Sequence, residues 1–287
     1  MTSIVTALLM SWKQSGINKK ATITAAKEGN KETMNLKLPE NILEFWHFQK
    51  NILRKYRHYI KDKMHTDYKR AAIFVYWLND YIEYIRTEST FNPHKLINYK
   101  RGQIVFVNFG YRIGSELGGN HYAIVLDVKN SRYNNTLTVV PLKSFKNKET
   151  SYSKIYQVRL GETISQLLLS KADSIILETT QEILDNASVI KNMDSISSAE
   201  LDALMSKMRL LKRKIRIARN IVEYTKKLKK ESVADLGQIT TISKQRINMP
   251  CKANDILTNI IVPNELMSEI DKKMNYLYCH LDETVQE

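Results

Sequence analysis

The chain has 287 residues, enough for two domains or one elaborated domain, and its 43% apolar and 26% charged composition is that of an ordinary globular protein. A net charge of +14 favours an anionic partner such as RNA, although charge alone does not separate RNA from a membrane surface. No apolar run approaches the ~18 residues of a membrane span, and Cys251 and Cys279 lack zinc-like or CxxC spacing, so reduced thiols in a cytoplasmic protein are expected.

At the N-terminus Ile4 to Met10 is apolar but short, and no basic stretch precedes it, so it does not read as an export signal. Residues 1–38 are expected to be a mobile or partly helical lead-in, rich in Lys, Asn, Thr and Gly after position 13. Residues 39–98 read as a helical hairpin. Ile42, Phe45, Trp46, Ile52, Leu53, Tyr56 and Ile60 keep helical spacing behind Pro39, and a second helix runs from about Thr66 to Arg86. Packing explains these aromatic residues most simply; the other reading is that Tyr56 and Tyr59, with Lys55, Arg57 and Lys61, stack on and neutralise single-stranded RNA. His47, His58 and His65 offer no i,i+3 or i,i+4 pair to chelate an ion, and no metal or cofactor is expected.

Pro93 separates this region from a β-rich segment beginning near Tyr99. Gln103 to Phe109 is apolar on both sides of its alternation, the pattern of a buried strand. Tyr122 to Leu126 and Thr136 to Val140 are β-rich as well, with turn-forming Asn134 and Asn135 between them. Five of the nine glycines fall between Gly102 and Gly119, so backbone freedom is concentrated in the loop between the first two strands. A glycine-rich loop flanked by rigid strands is a good place for a binding or reaction site.

The run Ser153 to Leu160 is expected to be a further strand. Residues 161–230 then read as an inserted antiparallel helical hairpin, with a first arm from Ile164 to Ile190 and a second opening on the capping box Ser197-Ser198-Ala199-Glu200. In the second arm Leu201, Leu204, Met208, Leu211, Ile215, Ala218 and Val222 step by three and four, a coiled-coil seam. Between Lys207 and Lys230 that arm carries eleven Lys/Arg against Glu223 alone. It is either a solvated face or, through Lys207, Arg209, Lys212, Arg213 and Arg216, a phosphate-tracking arm or a dock for an acidic protein. Ile239 to Ile242 and Arg246 to Met249 are short strands, and residues 264–281 form a final amphipathic helix.

Taken together, Arg101 to Gly110 (RGQIVFVNFG), Gly114 to Gly119 (GSELGG), Tyr122 to Val128 (YAIVLDV) and Leu137 to Ser144 (LTVVPLKS) resemble the PemK/MazF toxin family. Glu231 to Arg246 is similar to that family's later strand pair, and Val262 to Leu266 to the opening of its last helix. The resemblance implies an α+β fold built on a small SH3-like antiparallel β-barrel, made here of residues 99–160 and 231–287 and interrupted by the hairpin. It also implies a metal-independent endoribonuclease that cuts single-stranded RNA to 2′,3′-cyclic phosphate and 5′-hydroxyl ends, acts as a homodimer, and is countered by a cognate antitoxin protein.

Aligned on GSELGG, His121 stands where the family has Arg, Tyr122 where it has Pro, and Glu116 keeps the loop Glu; aligned on VVPL, Lys143 stands in the place of Thr, with Ser144 beside it. His121, Glu116, Lys143 and Ser144 are therefore the candidate catalytic set. An imidazole, with its ordinary pKa of ~6.5, suits proton transfer from a 2′-OH, and an ammonium suits the charge developing on phosphorus. Glu116 would orient His121 or act as the base itself. Arg112 would supply the guanidinium, and Lys244 and Arg246 are expected on the RNA path. The alternatives are a non-catalytic RNA- or protein-binding module and, with nothing in the sequence favouring it, a gyrase-targeting toxin on the same kind of barrel.

Overall fold

The computed structural model describes residues 23–24, 33–34, 38–145, 150–191, 197–228 and 231–279. The lead-in expected over 1–38 lies outside these, apart from the paired dipeptides β1 (Ile23–Thr24) and β2 (Thr33–Met34). Two compact units divide at Val75/Tyr76. In the first, α1 (Pro39–Thr66) starts on a proline, whose missing N–H costs nothing at that position. It ends at Asp67, whose carboxylate accepts from Arg70 N at 3.1 Å and starts α2 (Tyr68–Glu88). Tyr56 and Tyr59 pack on the buried Phe74 ring at 5.8 and 5.4 Å between centroids. The unit boundary falls within α2.

In the second unit, β3 (Ile104–Asn108), β4 (Asn120–Val125) and β5 (Thr136–Ser144) form an antiparallel meander. Strands β6 (Gln157–Gly161), β7 (Ser232–Asp235), β8 (Thr240–Ser243) and β9 (Ile247–Met249) complete a seven-stranded sheet in the order β6-β7-β5-β4-β3-β9, with β8 also on β5. The sheet is open: among the described residues no pairing joins β6 to β9, so the closed barrel expected from the resemblance is not seen. What stands is a mixed fold of helices and an antiparallel sheet.

Alternation explains its two faces. Ile104 and Ile124 join Val140, Leu142 and Ala234 on one face; Val105, Val107, Phe109, Ala123, Val125 and Val139 pack on the other with Ile242 and Ile247. Each such side chain contributes about 1.5–3 kcal/mol when fully buried, and neither face of β3 is left to solvent. The first face is covered by the inserted hairpin, α4 (Thr163–Lys191) and α5 (Ser198–Lys226), and by α6 (Asn264–Tyr278), through Leu168, Ala172, Ala218, Ile221, Met267 and Ile270. The capping box at Ser197 and Glu200 is formed. The hairpin leaves the sheet after Gly161 and returns at Ser232, and these two residues are directly paired.

The strand expected over Ser153 to Leu160 is half helix. Thr150 and Ser153 form a reciprocal capping box that starts α3 (Ser151–Tyr156), and extended backbone begins only at Gln157. Among the described residues no helix is long and apolar enough to cross a membrane, and none of their His, Cys, Asp and Glu side chains form a group of three that would hold a metal ion.

Gly110 sits where the glycine loop meets α2. Its φ is +78°, and a Cβ there would lie 2.7 Å from the Trp77 ring. Gly110→Ala is therefore expected to lower stability by about 2–3 kcal/mol, read as the shift of the urea midpoint at unchanged m-value.

Candidate functional site

β5 serves three neighbours. Val139 pairs with Val125 of β4 on one side and with Thr240 of β8 on the other. Pairing with β4 runs only to Ala123↔Pro141, while from Leu142 to Ser144 the strand is held by β7. Past Pro141 the β4 edge of β5 has no registered strand partner, and the Leu142 carbonyl instead accepts from the His121 ring Nδ1 at 3.2 Å. A neutral imidazole that donates through Nδ1 carries its lone pair on Nε2, the tautomer of a general base.

Where the strands part, a cavity of about 300 Å³ opens. His121 and Asn120 stand on the β4 side, Lys143 and Ser144 on the β5 side, and the apolar surface is made by Phe106, Tyr122 and Leu142. The rest of the wall comes from the two roots of the hairpin: Ile164 and Ser165 in the first turn of α4, and Lys227 and Leu228 just beyond α5. Tyr122 and Tyr224 share a hydroxyl–hydroxyl bond that ties β4 to α5; burial raises the pKa of both phenols, so both are neutral at physiological pH.

The cavity is electropositive. Lys143 and Lys227 are cationic, and the first turn of a long helix places its positive end there. Glu231, the one carboxylate in its lining, is engaged by Arg159 at 2.6 Å. Lys143 is itself anchored, its ammonium ion-paired with Asp235, which is 0% exposed. Asp235 Oδ1 accepts from the Tyr152 hydroxyl at 2.8 Å, and Oδ2 meets the ammonium as an ion pair with no directed hydrogen bond. Burial, reinforced by Asp235, pushes the Tyr152 phenol up to about 12, so it remains the donor.

Of the candidate catalytic set, His121, Lys143 and Ser144 thus come to one cavity, and Glu116 does not. Glu116 is exposed on the glycine loop, ion-paired with Arg112 at 3.8 Å, and the loop is pinned where Leu117 N donates to Gln238. Lys207, Arg209, Lys212, Arg213 and Arg216 all project from α5 as exposed side chains, away from the cavity lining.

Lys244 corrects the expectation placed on it. It is 2% exposed, its Nζ donates to Ser131 O at 2.9 Å, and burial lowers its pKa; it fastens the β4–β5 loop rather than facing a nucleic acid. Arg246 is half-buried, donating to Asn108 O at 2.8 Å and lying over the Trp77 ring at 5.3 Å; burial and then Arg112 lower its pKa.

Sequence reasoning missed Asp235, Tyr152, Ser165 and Lys227. Asp235, an acid ending an apolar strand-like run, was the one legible signal among them.

Residues 100–212 match the model of a family described as the PemK-like, MazF-like toxin of type II toxin-antitoxin systems. The match takes in β3 to β6, α4 and the first half of α5, less than half of the chain, and it supports a divergent member of that family. No curated protein matches the chain.

Removing Lys143 leaves the Asp235 carboxylate buried with only Tyr152 beside it. Lys143→Met is expected to cost about 2–3 kcal/mol, less than a fully enclosed pair because the lysine is a third exposed, and Lys143→Met with Asp235→Asn to regain most of it. Urea denaturation of the two variants checks this.

Proposed function

We propose that this protein is a toxin-type endoribonuclease that cleaves single-stranded RNA through the RNA's own 2′-hydroxyl, leaving 2′,3′-cyclic phosphate and 5′-hydroxyl ends. The observation that carries the reading is an imidazole and an anchored ammonium lining one electropositive cavity, within a segment that matches a toxin family whose members are in general endoribonucleases. His121 Nε2 takes the proton of the 2′-OH. The freed oxygen attacks the adjacent phosphorus, and the bond to the 5′-oxygen breaks with its electron pair; that oxygen takes a proton from solvent to become the 5′-hydroxyl, and the imidazolium returns its proton to solvent. Lys143, fixed by Asp235, and the first turn of α4 neutralise the charge that accumulates on the phosphoryl oxygens, where preorganised donors act most strongly. Asp235 is a positioning residue: it touches no substrate and holds the cation in place. The dependence on the 2′-OH restricts the reaction to RNA. A cognate antitoxin and a homodimeric assembly are proposed on the same family resemblance.

The test is a long unstructured RNA incubated with the purified protein in EDTA, with product ends identified chemically. Cleavage to cyclic phosphate ends is expected, reduced ~10²–10⁴-fold by His121→Ala in a variant that circular dichroism shows to be folded at the assay temperature. Absence of cleavage by the wild type would overturn the nuclease reading, and salt-sensitive RNA binding retained in that case would identify a non-catalytic binding module.

A further inference from the structure

The hairpin presents two half-exposed apolar rows, one on each arm. The buried residues of α4 are Ile164, Leu168, Ala172 and Thr179, and those of α5 are Leu211, Ala218, Ile221 and Thr225; among them Ala172 and Thr179 form one heptad line, and Leu211, Ala218 and Thr225 another. Four residues beyond these lines lies a second heptad-spaced apolar row on each helix, Leu169, Ile176 and Ile183 on α4 and Leu201, Met208 and Ile215 on α5. All six side chains are between 39% and 49% exposed. The helices run antiparallel, with Lys214 paired to Glu182 and Lys207 reaching Asn186 at 3.4 Å. In an antiparallel pair an equal displacement along each chain rotates both rows towards the same side, so the two rows border one groove. Evenly half-exposed rows at heptad spacing are what a coiled coil leaves when one strand is missing.

The groove has a basic margin on one side only. Four residues further round α5 from Met208 and Ile215 stand Lys212 and Arg219, both exposed and in no ion pair among the described residues. The matching positions on α4, beside Leu169, Ile176 and Ile183, are the exposed Asp173, Thr180 and Ala187, none of them basic.

We propose that this groove docks an amphipathic helix from a partner protein, apolar at its a and d positions and acidic along the flank that meets α5. Charge complementarity selects that occupant: a second copy of the hairpin would bring the same cations against Lys212 and Arg219, and RNA would leave the apolar rows without a role. The inference is independent of the nuclease reading, since it concerns a surface outside the cavity.

The experiment uses the full-length protein and a labelled synthetic helix of about four heptads, with Leu and Ile at a and d and Glu along one flank, followed by fluorescence anisotropy. The Glu-flanked helix is expected to bind, and its affinity to fall about tenfold or more in Ile176→Glu/Met208→Glu. Lys212→Glu/Arg219→Glu is expected to lose the Glu-flanked helix and to gain binding of a Lys-flanked one. All four positions are exposed, and circular dichroism confirms that the variants fold. Equal affinity for the Glu- and Lys-flanked helices, or no effect of either double variant, overturns the proposal. So does a protein that sediments as a dimer and becomes monomeric in Ile176→Glu/Met208→Glu, which assigns the groove to a second copy. A loss of RNA binding in Lys212→Glu/Arg219→Glu with peptide binding intact likewise overturns it and assigns the charged margin to nucleic acid.

Discussion

A β-strand can offer only one hydrogen-bonding edge to each side, and β5 spends its edges on three partners. One side goes first to β8 and then to β7; the other goes to β4 and stops at Pro141. The stop leaves backbone groups without a strand, and a buried carbonyl without a donor costs about 1–3 kcal/mol. The His121 ring meets that need at Leu142. The requirement that satisfies the backbone is therefore the same one that orients an imidazole at the mouth of the cavity, and folding and site geometry rest on a single contact.

The second determinant is a buried charge. Asp235 ends β7 with no exposed surface, and the sheet holds it only because Lys143 from β5 and Tyr152 from α3 converge on it. Desolvating a carboxylate is expensive, and a pair of this kind adds little net stability compared with apolar packing. What it provides is position: a lysine on four rotatable carbons becomes a fixed cation. The side that carries the ion pair and the side that carries the imidazole are the two walls that part at Pro141, which brings complementary chemistry to one opening.

Much of this was readable in the residues. Apolar side chains on both sides of the alternation in Ile104 to Phe109 predicted a strand covered on both faces, and the two buried clusters meet across it. The Ser197 capping box and the heptads of the second arm marked α5 to within a residue or so at its start. The helix at Ser151 was also written locally, in the Thr150 and Ser153 pair, but the β-like composition of the following residues outweighed it. Closure of the sheet was not legible, since it depends on which edges find partners far apart in sequence. Nor was the burial of Lys244: a Lys-Gln-Arg run reads as surface, and only the fold brings Ser131 to its ammonium. Glu116 was placed with His121 by alignment of a motif, whereas the actual direction of its side chain is decided by Arg112 and by the Gln238 contact that pins the loop.

The chain's departure at Gly161 and return at Ser232 as directly paired residues makes the whole hairpin, in topological terms, the turn of a β6–β7 ribbon. Closing a longer turn costs only logarithmically more entropy, so arms extended or trimmed by whole heptads would leave every pairing of the sheet untouched. The base of each arm is constrained, by Ile164, Ser165, Lys227 and Leu228 at the cavity and by Leu168, Ala172, Ala218 and Ile221 in the core. The tip is thus open to length variation among kindred proteins and to grafting, while the cavity at the base keeps its shape.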